Sequence, residues 1–393
     1  MKKIRVGVIG IGDISDVYLN NLKKYDAVEV IACASRGLEK AQRKAAQHGI
    51  PKAYASGAEV IADPEVDLIL NLTTPQAHYE YSLAALKAGK HVYTEKPLAM
   101  TYAEGKELVT LAKEKGLLLG CAPDTFLGGR LQTIRELIDS GKLGRITGGG
   151  AYFIGHGHEF HHPAPAFFYQ PGAGPLYDMG PYYMTALLSL LGPVRRVCAM
   201  ATKAADTRTV PSGPSKGQVL PVDVDTHINA ILEFACGSIV TLTCSFDVWD
   251  SEMPRMELYG TEGTVLIDEK DPISGPNLFG GDTLLRTPAE YRWAAPDRNP
   301  AHVNTPWTVV PNHHPFNSVS HAENPRGIGL VDMVYALAQH RAPRASGDMA
   351  LHSLEVMECI LKSAHEHIFC EPETTFERPA PLPLDFPASE QTN

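Results

Sequence analysis

Ile4-Arg5-Val6-Gly7-Val8-Ile9-Gly10-Ile11-Gly12-Asp13-Ile14-Ser15 decides the fold. A compact apolar run reads as a buried strand, two glycines turn the chain, and a helical pattern from Asp13 to Tyr25 follows. Gly10 permits the tight turn, and Gly12 lets the backbone approach a pyrophosphate. The amides of Asp13 and Ile14 lie at the positive end of the helix, where an anion is favoured. Ser15 stands where a third glycine is usual and is small enough to keep helix and strand close. The same pattern also suits a plain strand–helix turn with no ligand.

Outward from this loop, strands and helices alternate. Strands are expected at Val28 to Ala34, Val66 to Leu72, His91 to Glu95 and Leu117 to Cys121, with helices at Leu38 to His48, Gln76 to Lys87 and Tyr102 to Lys115. Gly49 and Gly89 read as helix stops. This rhythm predicts a doubly wound parallel sheet of Rossmann type over residues 1–123. After Cys121 the pattern changes. Helices at Leu131 to Ser140 and Pro181 to Leu191 flank a strand at Ile146 to Ile154. Alternating runs at His227 to Phe234 and Ser238 to Phe246 follow, then a hairpin around Gly260-Thr261-Glu262-Gly263. Residues 124–393 are therefore expected to form an α+β domain with a mainly antiparallel open sheet, closed by helices at Gly329 to Gln339 and Met349 to Ala364. Two stretches, Lys203 to Val222 and about Lys270 to Arg326, read as irregular, the second as a substrate lid or subunit contact.

Composition bounds the function. The 393 residues are 44% hydrophobic and 20% charged with a formal net charge of −10, which argues against nucleic acid as a partner. No apolar run is long enough for a membrane span, and the N-terminus lacks a signal-peptide pattern. Seven cysteines without CxxC spacing suit reduced thiols and a cytoplasmic location.

The second strand ends Ala34-Ser35-Arg36, without the carboxylate that binds the ribose hydroxyl of NAD. Ser35 and Arg36 can hold a 2′-phosphate, so the cofactor expectation is NAD(P), with NADP slightly favoured; Arg36 stacked on adenine with NAD bound is the alternative. Thr73, Thr74 and Pro75 end the fourth strand and His78 opens the next helix, all on the ligand edge of such a sheet. Glu95-Lys96-Pro97 ends the fifth. Lys96 is placed to take or give a hydroxyl proton, and a positive neighbour with partial burial would lower its pKa. Later, Gly174-Pro175-Leu176-Tyr177-Asp178-Met179-Gly180-Pro181-Tyr182 sets a carboxylate and a phenol four residues apart, Asp178 in a glycine-rich turn and Tyr182 in a helix's first turn.

On the glycine loop, Glu95-Lys96-Pro97, the Gly174 to Tyr182 segment and the Leu258 to Gly263 hairpin, the chain resembles the Gfo/Idh/MocA oxidoreductases, glucose–fructose oxidoreductase among them, along nearly its whole length. The resemblance implies that Lys96 is catalytic, that the Lys96–Pro97 peptide is cis, and that Asp178 and Tyr182 complete the set; the common pattern has histidine at the Tyr182 position. Glu95 and Lys96 would also border the cofactor. The implied reaction moves a hydride between nicotinamide and the secondary hydroxyl or ketone of a sugar, glycoside or cyclitol, in a homodimer or homotetramer. An NAD-dependent glycosidase on the same fold and a cofactor-binding regulator without turnover are the alternatives.

Gly155 to Pro163 carries His156, His158, His161, His162 and Glu159. His156 and His158 would share one face if the segment were a strand. Sugar-hydroxyl contacts, a surface loop, and a zinc or manganese site all suit such a composition; the expectation is substrate contact by His158 and His162, with no metal. Phe167, Phe168 and Tyr169 suit a ring platform or the core. Asp124 and Arg130 are further pocket candidates, Arg326 and His352 weaker ones.

Overall fold

Strands buried on both faces need continuous apolar sequence, and the first sheet has it: Val6, Val8, Leu68, Ile69 and Leu70 are sealed from solvent. The computed structural model describes residues 2–269, 275–288, 306–320 and 323–390. In chain order the first elements are β1 (Ile4–Ile9), α1 (Ile14–Leu22), β2 (Val28–Ala34), α2 (Leu38–His48), β3 (Lys52–Tyr54), α3 (Gly57–Ala62), β4 (Leu68–Asn71), α4 (Pro75–Lys87), β5 (His91–Thr94), α5 (Tyr102–Glu114) and β6 (Leu119–Cys121). Their sheet runs β3-β2-β1-β4-β5-β6, every pair parallel. The order reverses between β1 and β4, where open α/β sheets place their ligands. Ile9 pairs with Asn71 and Asn71 with Thr94, so the glycine loop, the β4 end and the β5 end lie side by side on one edge.

Helix termini follow their local chemistry. Gly49 caps α2 in the left-handed region at φ 70°. Thr101 and Glu104 form a reciprocal capping box at the start of α5.

The second sheet is built from β7 (Ile146–Ile154), β8 (Val194–Thr202), β11 (His227–Phe234), β12 (Ile239–Ser245), β13 (Met256–Gly260), β14 (Gly263–Ile267), β15 (Thr283–Arg286) and β16 (Thr308–Val310), in the order β16-β15-β14-β13-β7-β12-β11-β8. All its pairs are antiparallel except β7 with β12. Period-two burial in β11 sends Ile228, Ala230, Leu232 and Phe234 inward and leaves Ile231 exposed. On the inner side α6 (Gly129–Asp139), α7 (Gly174–Asp178) and α8 (Gly180–Leu191) pack, and every residue of α8 is buried. Both stretches read as irregular contain strands. β9 (Thr207–Thr209) pairs with β10 (Val219–Pro221) in the first. β15 and β16 lie in the second, of which residues 270–274, 289–305 and 321–322 fall outside the described residues.

The chain divides into two compact units, residues 1–127 with 320–355 and 374–393, and residues 128–319 with 356–373. A late segment completes the first unit. There the Cys121 amide donates to Ala345 O at 3.1 Å. The Asn21 side chain donates to the carbonyls of Asn324 and Arg326. Asp124 satisfies free amides at the start of α9 (Ile328–Gln339), the helix before α10 (Gly347–Glu366). Among the described residues no helix is long and apolar enough to cross a membrane.

Candidate active site

The first unit gathers its predicted residues on the carboxyl edge of the parallel sheet. Gly10 takes φ 90°, and a Cβ there would lie 2.5 Å from Leu72 O, so no side chain is tolerated. A Cβ at Gly12 would meet nothing within 4 Å, so the space beside this backbone is open to a phosphate. Asp13 and Ile14 open α1, while Ser15 is fully buried and its hydroxyl donates to Gly12 O at 2.6 Å. This loop fits a dinucleotide pyrophosphate. Ser35 is half-buried and Arg36 exposed just beyond β2. At the β4 end, buried Asn71 is the organiser that sequence reading missed. Its side-chain oxygen accepts from the Thr73 hydroxyl at 2.7 Å, and its NH2 donates to His78 O and Ser82 Oγ. Thr74 precedes α4 and Pro75 is its first residue.

His78 is fully buried, so it supports the edge from behind rather than facing a ligand. Its Nδ1 lies 2.7 Å from Pro97 O and its Nε2 3.0 Å from Thr73 O. A neutral ring donates to only one of these carbonyls. Burial holds its pKa below the ordinary value, and the two carbonyls oppose that shift.

Lys96 is half-buried one position past Glu95, and the Lys96–Pro97 peptide is cis. Glu95 is buried and already engaged. It accepts from Tyr18 OH at 2.8 Å and from the Lys96 amide at 3.0 Å, and Arg326 Nε stands 3.7 Å away. It anchors the turn, and burial raises the pKa of Tyr18 beside it. Asp124, expected in the pocket, is 1% exposed. Its Oδ2 accepts from the amides of Gly327 and Gly329, so it satisfies free amides at the start of α9.

In the second unit, Asp178 ends the five-residue α7, and Tyr182 is the third residue of α8. The expected turn before one helix is thus a break between two. Tyr182 is 5% exposed. Asp178 Oδ2 lies 2.8 Å from His158 Nε2, whose ring stacks on Phe168 at 3.9 Å between centroids. The histidine segment is an irregular loop, since Gly157 takes φ 77° and breaks the strand pattern. His156 and His158 therefore separate: His158 meets Asp178, while His156 stacks on Trp249. His162 Nδ1 accepts from the Ala164 amide, and its ring stands edge-on to Phe168. Tyr169 is core.

Beneath this loop lies a group that sequence reading missed. Arg208, on β9, donates to Glu159 Oε1 at 2.9 Å, to Phe246 O at 2.8 Å and to Asp247. Its alternation with Thr207 and Thr209 was the available signal, obscured by a strand of three residues. Arg130 pairs with Glu269 at 3.3 Å and is buried. His352 is a core residue whose Nδ1 lies 2.9 Å from Thr374 Oγ1. Among the described residues no three His, Cys, Asp or Glu side chains converge as a metal set. A cavity of about 530 Å³ lined by Leu176, Tyr177, Asp225 and His365 includes none of the predicted residues.

Residues 4–122 match the family described as an oxidoreductase family with an NAD-binding Rossmann fold, and residues 131–266 match the GFO/IDH/MocA C-terminal domain. The chain belongs to the GFO/IDH/MocA oxidoreductases. It is 36% identical over 141 residues to a 1,5-anhydro-D-fructose reductase of Ensifer adhaerens, covering 36% of this chain and 42% of that one. It is 25% identical over 271 residues to a myo-inositol 2-dehydrogenase of Thermotoga maritima, covering 67% and 75%. The apo form of a levoglucosan dehydrogenase shares the fold with a TM-score of 0.80 at 19% identity, covering 96% of this chain and 100% of that chain.

Proposed function

We propose that this NAD-binding oxidoreductase acts on the secondary hydroxyl or ketone of a sugar, glycoside or cyclitol. The observation that carries the reading is the placing of Lys96 two residues past β5, on the sheet edge that also holds the glycine loop. The names of the relatives, a reductase of an anhydro sugar and a dehydrogenase of a cyclitol, support the substrate class.

The nicotinamide cofactor supplies the hydride acceptor or donor when bound. The backbone at Gly10, Gly12, Asp13 and Ile14 holds the pyrophosphate; Thr73, Thr74 and Pro75 border the nicotinamide ribose. Lys96 Nζ takes the hydroxyl proton in oxidation and returns it in reduction. Asp178, held by His158, accepts a hydrogen bond from a substrate hydroxyl, and Tyr182 assists the proton. His162 stands beside the same loop as a second hydroxyl contact. Ser35 and Arg36, without an acid at the end of β2, support NADP over NAD. The exposed apolar residues Met200, Ile231 and Ile239 of the open sheet support a homodimer or homotetramer.

The test is a panel of sugars, glycosides and cyclitols scored by NADH and NADPH absorbance in both directions. Cofactor-dependent turnover of at least one polyol is expected. Tight cofactor binding with no turnover of any of them would leave the chain a binding protein.

A further inference from the structure

Two loops of the second unit display aromatic rings instead of burying them. Trp249 is 76% exposed, yet it is ordered against a partner: its ring lies on His156 with centroids 3.4 Å apart and planes 14° from parallel. Phe160, 43% exposed, stands edge-on to both, at 5.5 Å from His156 and 5.9 Å from Trp249. Rings stacked this way present one flat face to water.

The display has a rigid footing. Buried Arg208 bonds Glu159 from the first loop and Phe246 O and Asp247 from the second, and its guanidinium is 3.4 Å from His156 Nε2. The Val248 amide donates to Gly155 O at 3.1 Å. A solvent-facing indole on so firm a base is not explained by core packing. Burial and the Arg208 charge hold the His156 pKa below its ordinary value, so the imidazole is neutral at pH 7. Asp250 adjoins the indole on its chain, which disfavours an anion. A flat neutral face beside the indole N–H suits a ligand with C–H bonds on one face and hydroxyls around its rim.

The neighbouring group lies close along the chain. His156 and His158 are two residues apart, so their Cα atoms lie within about 7 Å of one another. His158 holds Asp178. We propose that the Trp249–His156 stack, edged by Phe160, is a saccharide platform that receives the second ring of a glycoside whose first ring lies at Asp178. The first-ring placement rests on the function proposed above; the platform itself rests on the stack.

Isothermal titration of the full chain with glucose, cellobiose and phenyl β-glucoside, for the wild type, Trp249→Ala and Trp249→Phe, tests this. The two-ring probes are expected to bind the wild type roughly tenfold more tightly than glucose. Trp249→Ala should erase that gap and leave glucose affinity unchanged, and Trp249→Phe should restore most of it. The platform is overturned if the gap survives in Trp249→Ala, if no probe binds the wild type, or if light scattering shows Trp249→Ala to change the oligomer, which would mean that a second copy covers the ring. Polyol turnover by the wild type with no Trp249-dependent gap removes the platform and keeps the dehydrogenase. A Trp249-dependent gap without turnover of any polyol does the reverse.

Discussion

The turn at residues 95–97 is held by its own sheet, whereas the loop at 155–164 is held by an arginine from β9. Glu95 N bonds Asn71 O at 2.9 Å, Tyr18 of α1 holds the Glu95 carboxylate, and His78 of α4 reaches Pro97 O. Each support follows from neighbouring βα units. The histidine loop runs on from β7 without a ladder of its own, and Arg208 ties Glu159 within it to Asp247 beyond β12. A group at a sheet edge takes its position from the backbone pattern. A group on a long loop needs buried charge brought from elsewhere.

The sharpest way to break this contrast is Lys96→Met. If the sheet edge carries the proton transfer, turnover should fall by roughly 10⁴-fold, while NADH and NADPH binding persist. Steady-state rates beside cofactor titrations measure both. Near-normal turnover would move the chemistry from the turn to the loop.

Arg208→Met comes next. It leaves Glu159 and Asp247 as buried carboxylates without their partner, which should cost about 3–5 kcal/mol in denaturant unfolding. Tyr18→Phe, its counterpart under the turn, removes one hydroxyl from Glu95 and should cost about 1–2 kcal/mol. Equal losses in the two variants would erase the distinction between a turn supported by backbone and a loop supported by charge.

The first unit has an acid-sensitive point of its own. Burial pushes the His352 pKa down to about 4, against the opposing pull of Glu355. The unfolded chain takes up this proton near its ordinary value of about 6.5. Stability is therefore fully present above that value and falls as pH drops through the window to about 4, by about 3 kcal/mol. Unfolding midpoints measured across this range should slope for the wild type and slope less for His352→Leu. An unchanged slope would assign the acid lability to His78 or to the loop.

The sequence made the parallel sheet readable because each strand is a short apolar run and each helix has a local stop. β1, β2 and α2 have the ends expected of them. The position of Lys96 was legible for the same reason, since it sits a fixed step past a strand. The fates of Glu95, His78 and Asp124 were not. Whether a polar side chain at a strand end faces a ligand or a buried partner depends on Tyr18, Thr73 and Gly327, and no spacing rule names those partners. The histidine loop was legible as composition only: Gly157 in the left-handed region sends His156 to Trp249 and His158 to Asp178, and Arg208 arrives from a segment that reads as irregular.

Arg36 is the smallest test and bears on the sheet-edge side alone. It follows β2 directly and is exposed, so its placing is set by the strand as Lys96's is by β5. A guanidinium here adds a charge-assisted bond to a 2′-phosphate and nothing comparable to a 2′-hydroxyl. Because the site is exposed, solvent limits its worth to about 1 kcal/mol. Arg36→Ala should thus weaken NADPH by roughly five- to tenfold and leave NADH nearly unchanged in fluorescence titrations. Equal weakening of both would place the arginine over the adenine ring, where either dinucleotide meets the same surface, and would turn the cofactor preference towards NAD.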